Sequence, residues 1–305
     1  MFYKQIAKTI SQNANTQVML DEPMARHTSL SIGGAADIFV APKGTESLQQ
    51  ILKIADSEKM KRFVIGNGTN LLVSDDGIRG IVIQIKDGFK RISVDKKDDH
   101  VIIEAEAGIL LNRVLNESKE NGLTGFEFSA GIPGSLGGAI VMNASTKLGA
   151  ISDTLQSIEV LTKGGKTHTL SRDELDFHYR ELKVESSTII LSAKFRLAYS
   201  TREEVEARVN DFLAERRLSQ PKGKSAGCIF RNPDSDSAGR IIDELGYKGK
   251  RVGGAYVSSD HGNFIMNDGT ASSKDFITLI REIRAAVLEE KSIKLEYEIK
   301  FLGNM

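Results

Sequence analysis

Glycine placement constrains this chain more than any other feature: its 28 glycines gather in a few short clusters. Such clusters mark backbone that must adopt φ > 0 or come close to a ligand. The first, Gly66-Asn67-Gly68-Thr69-Asn70, directly follows the apolar run Phe63-Val64-Ile65. Its glycines let successive N–H groups point into one concavity, and Thr69 and the asparagines add short side-chain donors, an arrangement suited to phosphate or diphosphate. By itself it is equally an ordinary tight turn. The second, Gly131-Ile132-Pro133-Gly134-Ser135-Leu136-Gly137-Gly138, fixes one φ at Pro133 and flanks it with permissive glycines. Ser135 can donate to phosphate or to a ring carbonyl. Packing alone could account for either loop, but two donor-rich loops together suggest a long ligand such as a dinucleotide. A Rossmann loop is disfavoured: that motif opens a helix and meets an acidic residue about 20 positions later. Here Leu71-Leu72-Val73 follows, and Asp75-Asp76-Gly77 soon breaks the chain.

Charge narrows the function classes. The chain has 41 basic and 41 acidic residues and no block of like charge, so neither a nucleic acid nor a membrane surface is suggested as partner. Its single cysteine, Cys228, excludes an intrachain disulfide and a cysteine-based zinc site, and no metal site is expected. The N-terminal stretch lacks a basic start followed by an apolar block, and no apolar run has transmembrane length. A soluble protein of a reducing compartment, the cytoplasm, is the expectation.

At 305 residues the chain has room for two or three domains. Residues 1–20 read as a short helix, and Ala36–Val40 as a strand. Leu48, Ile51, Leu52 and Ala55 form a stripe that predicts a helix from Ser47 to Glu58. Phe63–Ile65 and Gly80–Ile85 complete a β-α-β pattern. Strands follow at Val101–Ala107, Ser157–Thr162, Thr167–Leu170 and Thr188–Leu197, with a helix at Ile109–Glu120. Lys163-Gly164-Gly165-Lys166 is a hairpin turn among them. The last third predicts helices at Arg202–Arg217 and Lys274–Glu289 and a closing strand at Ile293–Leu302. The fold class is α+β.

Seven ordered segments then carry a resemblance: 27–42 (HTSLSIGGAADIFVAP), 64–83, 125–144, 175–183 (LDFHYRELK), 216–233, 246–267 and 295–303 (LEYEIKFLG). In these the chain resembles the UDP-N-acetylenolpyruvoylglucosamine reductase family, also called UDP-N-acetylmuramate dehydrogenases. The resemblance implies a two-part FAD-binding fold of the vanillyl-alcohol-oxidase (PCMH) type plus a third, α/β substrate-binding domain. It implies FAD-binding subdomains at 1–75 (completed by the C-terminal strand) and 76–200, and a UDP-sugar domain at 201–305. The short Gly246–Gly262 stretch implies the shorter form of the enzyme, without the extra substrate-contacting insertion. The implied reaction reduces UDP-N-acetylglucosamine enolpyruvate in peptidoglycan precursor synthesis. NADPH is the hydride-donating cosubstrate, the reduced flavin passes a hydride to the enol ether's C3, and an enzyme acid protonates C2.

Three residues match the family's catalytic positions. Arg180 would face the substrate carboxylate, a task suited to a planar, permanently charged guanidinium; a surface ion pair with Asp176 or Glu181 is the alternative. Cys228 stands where most members have the proton-donating serine. A thiol with a reference pKa near ~8.5 is mostly protonated at neutral pH, so it is a competent acid; a small buried apolar residue is the other reading. Glu298 would assist protonation, with Glu296 the rival two residues away on the same strand face. The resemblance also implies cofactor contacts from Gly66, Asn67, Gly68, Thr69, Asn70, Ile132, Pro133, Gly134, Ser135, Gly138 and Arg216. Tyr179, Arg231, Asn232 and Asn263 are candidate substrate contacts, with Asn267 and Arg217 held more loosely. One departure stands out: where the family continues Asn-Ala-Gly-Ala-Tyr-Gly, this chain has Asn143-Ala144-Ser145-Thr146-Lys147-Leu148-Gly149. Two other readings are an oxidase of the same fold and a nucleotide-sugar-binding flavoprotein with altered catalysis.

Overall fold

The apolar stripes are buried where their periodicity requires. A computed structural model describes residues 2–234 and 236–305. Contacts divide them into two compact units. Unit 1 holds the residues up to Met19, Ile38–Asn67 and Ile81–Glu215; unit 2 holds Leu20–Asp37, Gly68–Gly80 and Arg216–Met305.

In unit 1 the helix Thr45–Ser57 buries Leu48, Ile51, Leu52 and Ala55 and packs against the N-terminal helix Phe2–Ala14. Strand Arg62–Ile65 pairs in parallel with the end of strand Ile78–Gln84, Arg62 opposite Ile81. The larger element is an antiparallel sheet in the order Thr167–Ser171, Leu155–Leu161, Ile189–Tyr199, Val101–Glu106, Ile92–Lys96. Val101–Glu106 alternates buried and half-buried residues, the pattern of a sheet with one face in the core. Phe126 packs between Phe128 and Phe195, ring centroids 5.1 and 5.2 Å apart. Each of these rings is fully buried, which stabilises the unit by roughly 2–3 kcal/mol apiece. The hairpin turn falls at Lys163–Lys166, with Gly164 and Gly165 at φ +101° and +78° and Thr162 N donating to Lys166 O.

Unit 2 is built on one core. The helix Ser273–Lys291 turns Phe276, Leu279, Ile280, Ile283 and Val287 onto Leu30, Leu72, Ile229 and Phe230. Its start is fixed by a capping box: Ser272 Oγ accepts from Asp275 N, and the Asp275 carboxylate accepts from Ser272 N. Asp75 adds a second brace, accepting from Ser273 N and Oγ. A four-stranded antiparallel sheet runs Lys224–Cys228, Phe264–Asn267, Ala255–Val257, Arg251–Val252. Strand Lys300–Leu302 pairs in parallel with Leu71–Val73.

Three expectations are corrected. The N-terminal helix ends at Ala14, and strand Val18–Pro23 follows where residues 1–20 were expected to be helical throughout. The closing strand is only Lys300–Leu302. Upstream of it, Ile229 O takes both Glu298 N and Ile299 N, and a doubly used acceptor bends the segment out of ladder geometry. Short helices at Leu136–Val141 and Ala238–Glu244 escape sequence reading, because glycines within them lower the helical signal. The Arg202 helix runs on to Ser219. As expected, the first glycine loop leads into strand Leu71–Val73 and opens no helix, which is not Rossmann geometry. Among the described residues no helix is long and apolar enough to cross a membrane.

Candidate active site

The candidate residues in unit 1 are shaped by missing side chains and pinned carbonyls. A Cβ at Gly66 would collide with Ser135 Oγ, so only glycine lets the first loop lie against the second. Gln84 Nε2 donates to Gly66 O at 3.1 Å, and Leu111 N donates to Gly134 O at 3.0 Å. These bonds turn the two carbonyls into the protein. The backbone after Ser135 is anchored as well: Leu136 N donates to Ile109 O at 2.9 Å and Gly137 N to Ala107 O at 2.8 Å. Gly131 and Gly134 hold φ +73° and +132°, conformations that a side chain would strain. Ile132 is tied by its N–H to Ser129 O at 3.0 Å, Pro133 fixes the next φ, and a Cβ at Gly138 would come to 3.4 Å from Ser135 Oγ. Ser135 itself is buried. Short donors on a rigid, close-approach backbone fit a diphosphate-bearing cofactor, and Asn67 stands in the same loop.

Arg180 lies in unit 1, at the turn of a hairpin formed by Asp176–His178 and Glu181–Lys183. Its φ of +59° is left-handed, at a cost of roughly 1–2 kcal/mol for a residue with a Cβ. Nη1 donates to Ser145 O at 2.9 Å and to Ser145 Oγ at 2.6 Å. Asn143 Nδ2 donates to His178 O at 2.9 Å, two residues before the arginine. The guanidinium carbon stands 5.2 Å from the ring of the exposed Tyr179. Asp176, one of the expected partners of Arg180, is engaged by His178 at 2.8 Å and Lys183 at 3.7 Å. The departure at 145–149 is a small hairpin, Ser145–Thr146 paired with Gly149–Ala150. Thr146 Oγ1 donates to Phe128 O, and Lys147 forms an ion pair with Glu215.

The unit 2 residues are placed by backbone bonds. Gly68 holds φ +67°, and a Cβ there would strike the His27 carbonyl oxygen; Ser29 N donates to Gly68 O at 3.1 Å. Thr69 follows in the loop. Asn70 Nδ2 donates to Glu298 O and Lys300 N donates to Asn70 O, both at 3.0 Å, so the glycine loop and the chain's last segment share two bonds. Cys228 ends strand Lys224–Cys228 beside Phe264, after a bulge that begins at Ser225. Gly227 adopts φ +76°, and a Cβ there would meet nothing within 4 Å, so Cys228 follows a stretch of backbone open on that side. The thiol residue is half-buried.

The residues after Cys228 tie it to Glu298. Ile229 O accepts from Glu298 N at 2.9 Å, and Ile229 N donates to Asn263 O at 2.9 Å. Asn263, buried at 2% exposure, bonds Phe230 through both side-chain atoms, Oδ1 from Phe230 N and Nδ2 to Phe230 O. Glu296 and Glu298 separate by exposure: the Glu296 side chain is 74% exposed and 3.9 Å from Arg231, whereas Glu298 is half-buried. Arg231 N also donates to Glu296 O at 2.8 Å. Asn232 Oδ1 accepts from Ala238 N, capping the helix Ala238–Glu244, and Asn267 Nδ2 donates to Leu30 O. Arg216 Nη2 donates to Gln220 Oε1 at 2.7 Å. Near this group, burial first and the Lys248 charge second push the His261 pKa below its ordinary 6.5. Sequence reading assigned no role to Asn143 or Ser145; the departure at position 145 was the only signal that pointed there.

Comparison with known proteins covers 99% of the chain. Residues 36–171 match an FAD binding domain, and residues 219–302 match the UDP-N-acetylenolpyruvoylglucosamine reductase C-terminal domain. The chain is 40% identical over 305 residues to the UDP-N-acetylenolpyruvoylglucosamine reductase of Desulforamulus reducens, covering 99% of each. It is 40% identical over 312 residues to the Agathobacter rectalis reductase, covering 99% of this chain and 98% of that one. The crystal structure of the Thermus caldophilus reductase superposes with a TM-score of 0.81 at 35% identity, over 94% of this chain and 99% of that chain. The glycine loops lie in the part that matches the FAD domain, and Cys228 and Glu298 in the part that matches the reductase C-terminal domain. Built on the two-part FAD-binding fold, the chain belongs to the UDP-N-acetylenolpyruvoylglucosamine reductase family.

Proposed function

We propose that this protein reduces the enolpyruvyl ether of UDP-N-acetylglucosamine to UDP-N-acetylmuramate in the cytoplasm, as a step in making peptidoglycan precursor. FAD is the cofactor and NADPH the reductant; bound FAD supplies a two-electron store that separates oxidation of NADPH from reduction of the sugar. The observation that carries the reading is the backbone bond from Glu298 N to Ile229 O, which sets Glu298 beside the residue following Cys228.

Each residue has a distinct task. Arg180 offsets the negative charge that develops on the carboxylate-conjugated carbon skeleton, as a fixed cation that needs no reorganisation. Cys228 gives its proton to C2: the S–H bond breaks, the C2–H bond forms, and a thiolate remains. Glu298 assists this protonation, and its half-burial supports choosing it over the exposed Glu296. The glycine loops with Thr69, Ser135 and Arg216 hold the cofactor, while Tyr179, Arg231, Asn232 and Asn263 shape the UDP-sugar site. The division at 1–75, 76–200 and 201–305 belongs to the same proposal, supported by the pairing of Lys300–Leu302 with Leu71–Val73. Full-length likeness to reductases does not favour an oxidase or a binding-only protein.

Stopped-flow absorbance of the flavin tests the reading. NADPH should bleach the purified yellow protein, and the enolpyruvyl UDP-sugar should restore its spectrum. Bleaching without restoration by the sugar would overturn the substrate assignment.

A further inference from the structure

We infer that Asn143 and Ser145 form a clamp that aims Arg180, with Ser145 Oγ the positioning group for its guanidinium. The inference rests on the reading above, in which Arg180 faces the substrate carboxylate.

One nitrogen of Arg180, Nη1, donates to two oxygens of a single residue, Ser145 O at 2.9 Å and Ser145 Oγ at 2.6 Å. A guanidinium is planar with its donors in a rigid fork, so two acceptors fixing one nitrogen set the direction of the others. The hairpin that carries Arg180 cannot do this alone. Its strands are three residues each, it pairs two-stranded, and Tyr179 beside the arginine is 48% exposed. Buried Leu182 anchors its second strand on the helix Leu136–Val141, two residues beyond Arg180. Asn143 Nδ2 steadies the hairpin by holding His178 O at 2.9 Å.

The clamp itself is braced. Ala144, between the two residues, is buried and donates its N–H to Ala139 O at 2.9 Å. Thr146 Oγ1 holds the carbonyl of buried Phe128 at 3.1 Å. A chain running from helix Leu136–Val141 through Asn143 and Ser145 thus carries the rigidity of unit 1 out to Arg180. The chemistry of Ser145 matters as much as its place. A neutral hydroxyl accepts from the guanidinium and leaves its positive charge intact, whereas a carboxylate at 145 would pair with it bidentately and compete with the substrate carboxylate.

The test separates the two half-reactions of the FAD-loaded enzyme and adds thermal unfolding. Ser145→Ala, which keeps the backbone bond and deletes only Oγ, should slow flavin reoxidation by saturating enolpyruvyl UDP-sugar about tenfold, the size of one charge-assisted hydrogen bond. Flavin reduction by NADPH and the unfolding midpoint should not move. Ser145→Thr, which keeps a hydroxyl, should restore reoxidation to within about twofold of the parent rate. In an Arg180→Ala background, Ser145→Ala should cost nothing more, because residues that act as a unit are not additive. Unchanged reoxidation in Ser145→Ala, with Arg180→Ala slow, overturns the clamp and leaves the role of Arg180 standing. A fall in both half-reactions, or in the unfolding midpoint, also overturns it by making Ser145 merely structural. Normal reoxidation in Arg180→Ala overturns the reading beneath the clamp.

Discussion

Arg180 and Cys228 are held by opposite kinds of structure. Arg180 sits at the turn of a short hairpin and takes its direction from a side-chain clamp, Asn143 and Ser145. Cys228 ends a strand paired to the buried strand Phe264–Asn267 of a four-stranded sheet, and its neighbours Ile229 and Phe230 are bonded main chain to main chain or through the buried Asn263. One group is aimed by a side chain and the other by backbone. The proposed cation is therefore held in part by side-chain atoms that mutagenesis can trim one at a time, while the proposed acid neighbours bonds whose loss also weakens the core.

The largest effect expected from backbone placement is at Gly68. Gly68→Ala adds a Cβ against His27 O at φ +67°, so the purified protein should lose its flavin or fail to fold. A full complement of flavin absorbance in this variant would break the claim that close backbone approach builds the loop. Next comes the acid. Cys228→Ala should spare flavin reduction by NADPH and slow reoxidation by the UDP-sugar by roughly 10²-fold or more, the range for a general acid. Cys228→Ser should recover much of the rate. Reoxidation at the parent rate in the alanine variant would remove Cys228 from the chemistry.

Asn263 sharpens the comparison through stability. Asn263→Ala strips Phe230 N and O of buried partners and should cost about 3 kcal/mol in urea unfolding. A loss under 1 kcal/mol would show that the sheet holds this segment without the asparagine. The smallest effect is at His261, whose pKa is depressed in the fold. Its contribution is fully present above about pH 6.5 and is lost as pH falls through the lower folded value, because the unfolded chain then binds the proton more readily. His261→Gln should flatten part of the acid-side decline in urea midpoint, measured from pH 7.5 downward; parallel curves for parent and variant would refute it.

Much of the fold was legible because it repeats locally. The stripe Phe276, Leu279, Ile280, Ile283 and Val287 foretells helix Ser273–Lys291, and Gly164-Gly165 foretells the hairpin. Local pattern also misleads: Leu295, Tyr297 and Ile299 alternate like a strand, yet that stretch touches its neighbour through single bonds around Ile229. Within the candidate site, the glycine loops and the residue types at 180, 228 and 298 were readable as motifs. The clamp was not, since Ser145 meets an arginine 35 positions away and a pairing over that distance leaves no period in the sequence.

The chain passes from one unit to the other after Met19, Asp37, Asn67, Gly80 and Glu215, so unit 2 is assembled from three separate stretches of chain. Its first-made pieces wait for the last. Leu30 is bonded by Asn267, Asp75 by Ser273, and Asn70 meets Glu298 across 228 positions. At ribosomal speeds of ~5–20 residues per second, strand Leu71–Val73 emerges tens of seconds before the strand that pairs with it. During that interval the nascent chain carries an apolar strand edge without its mate, which makes birth, more than maturity, the period when this protein is most in need of a chaperone.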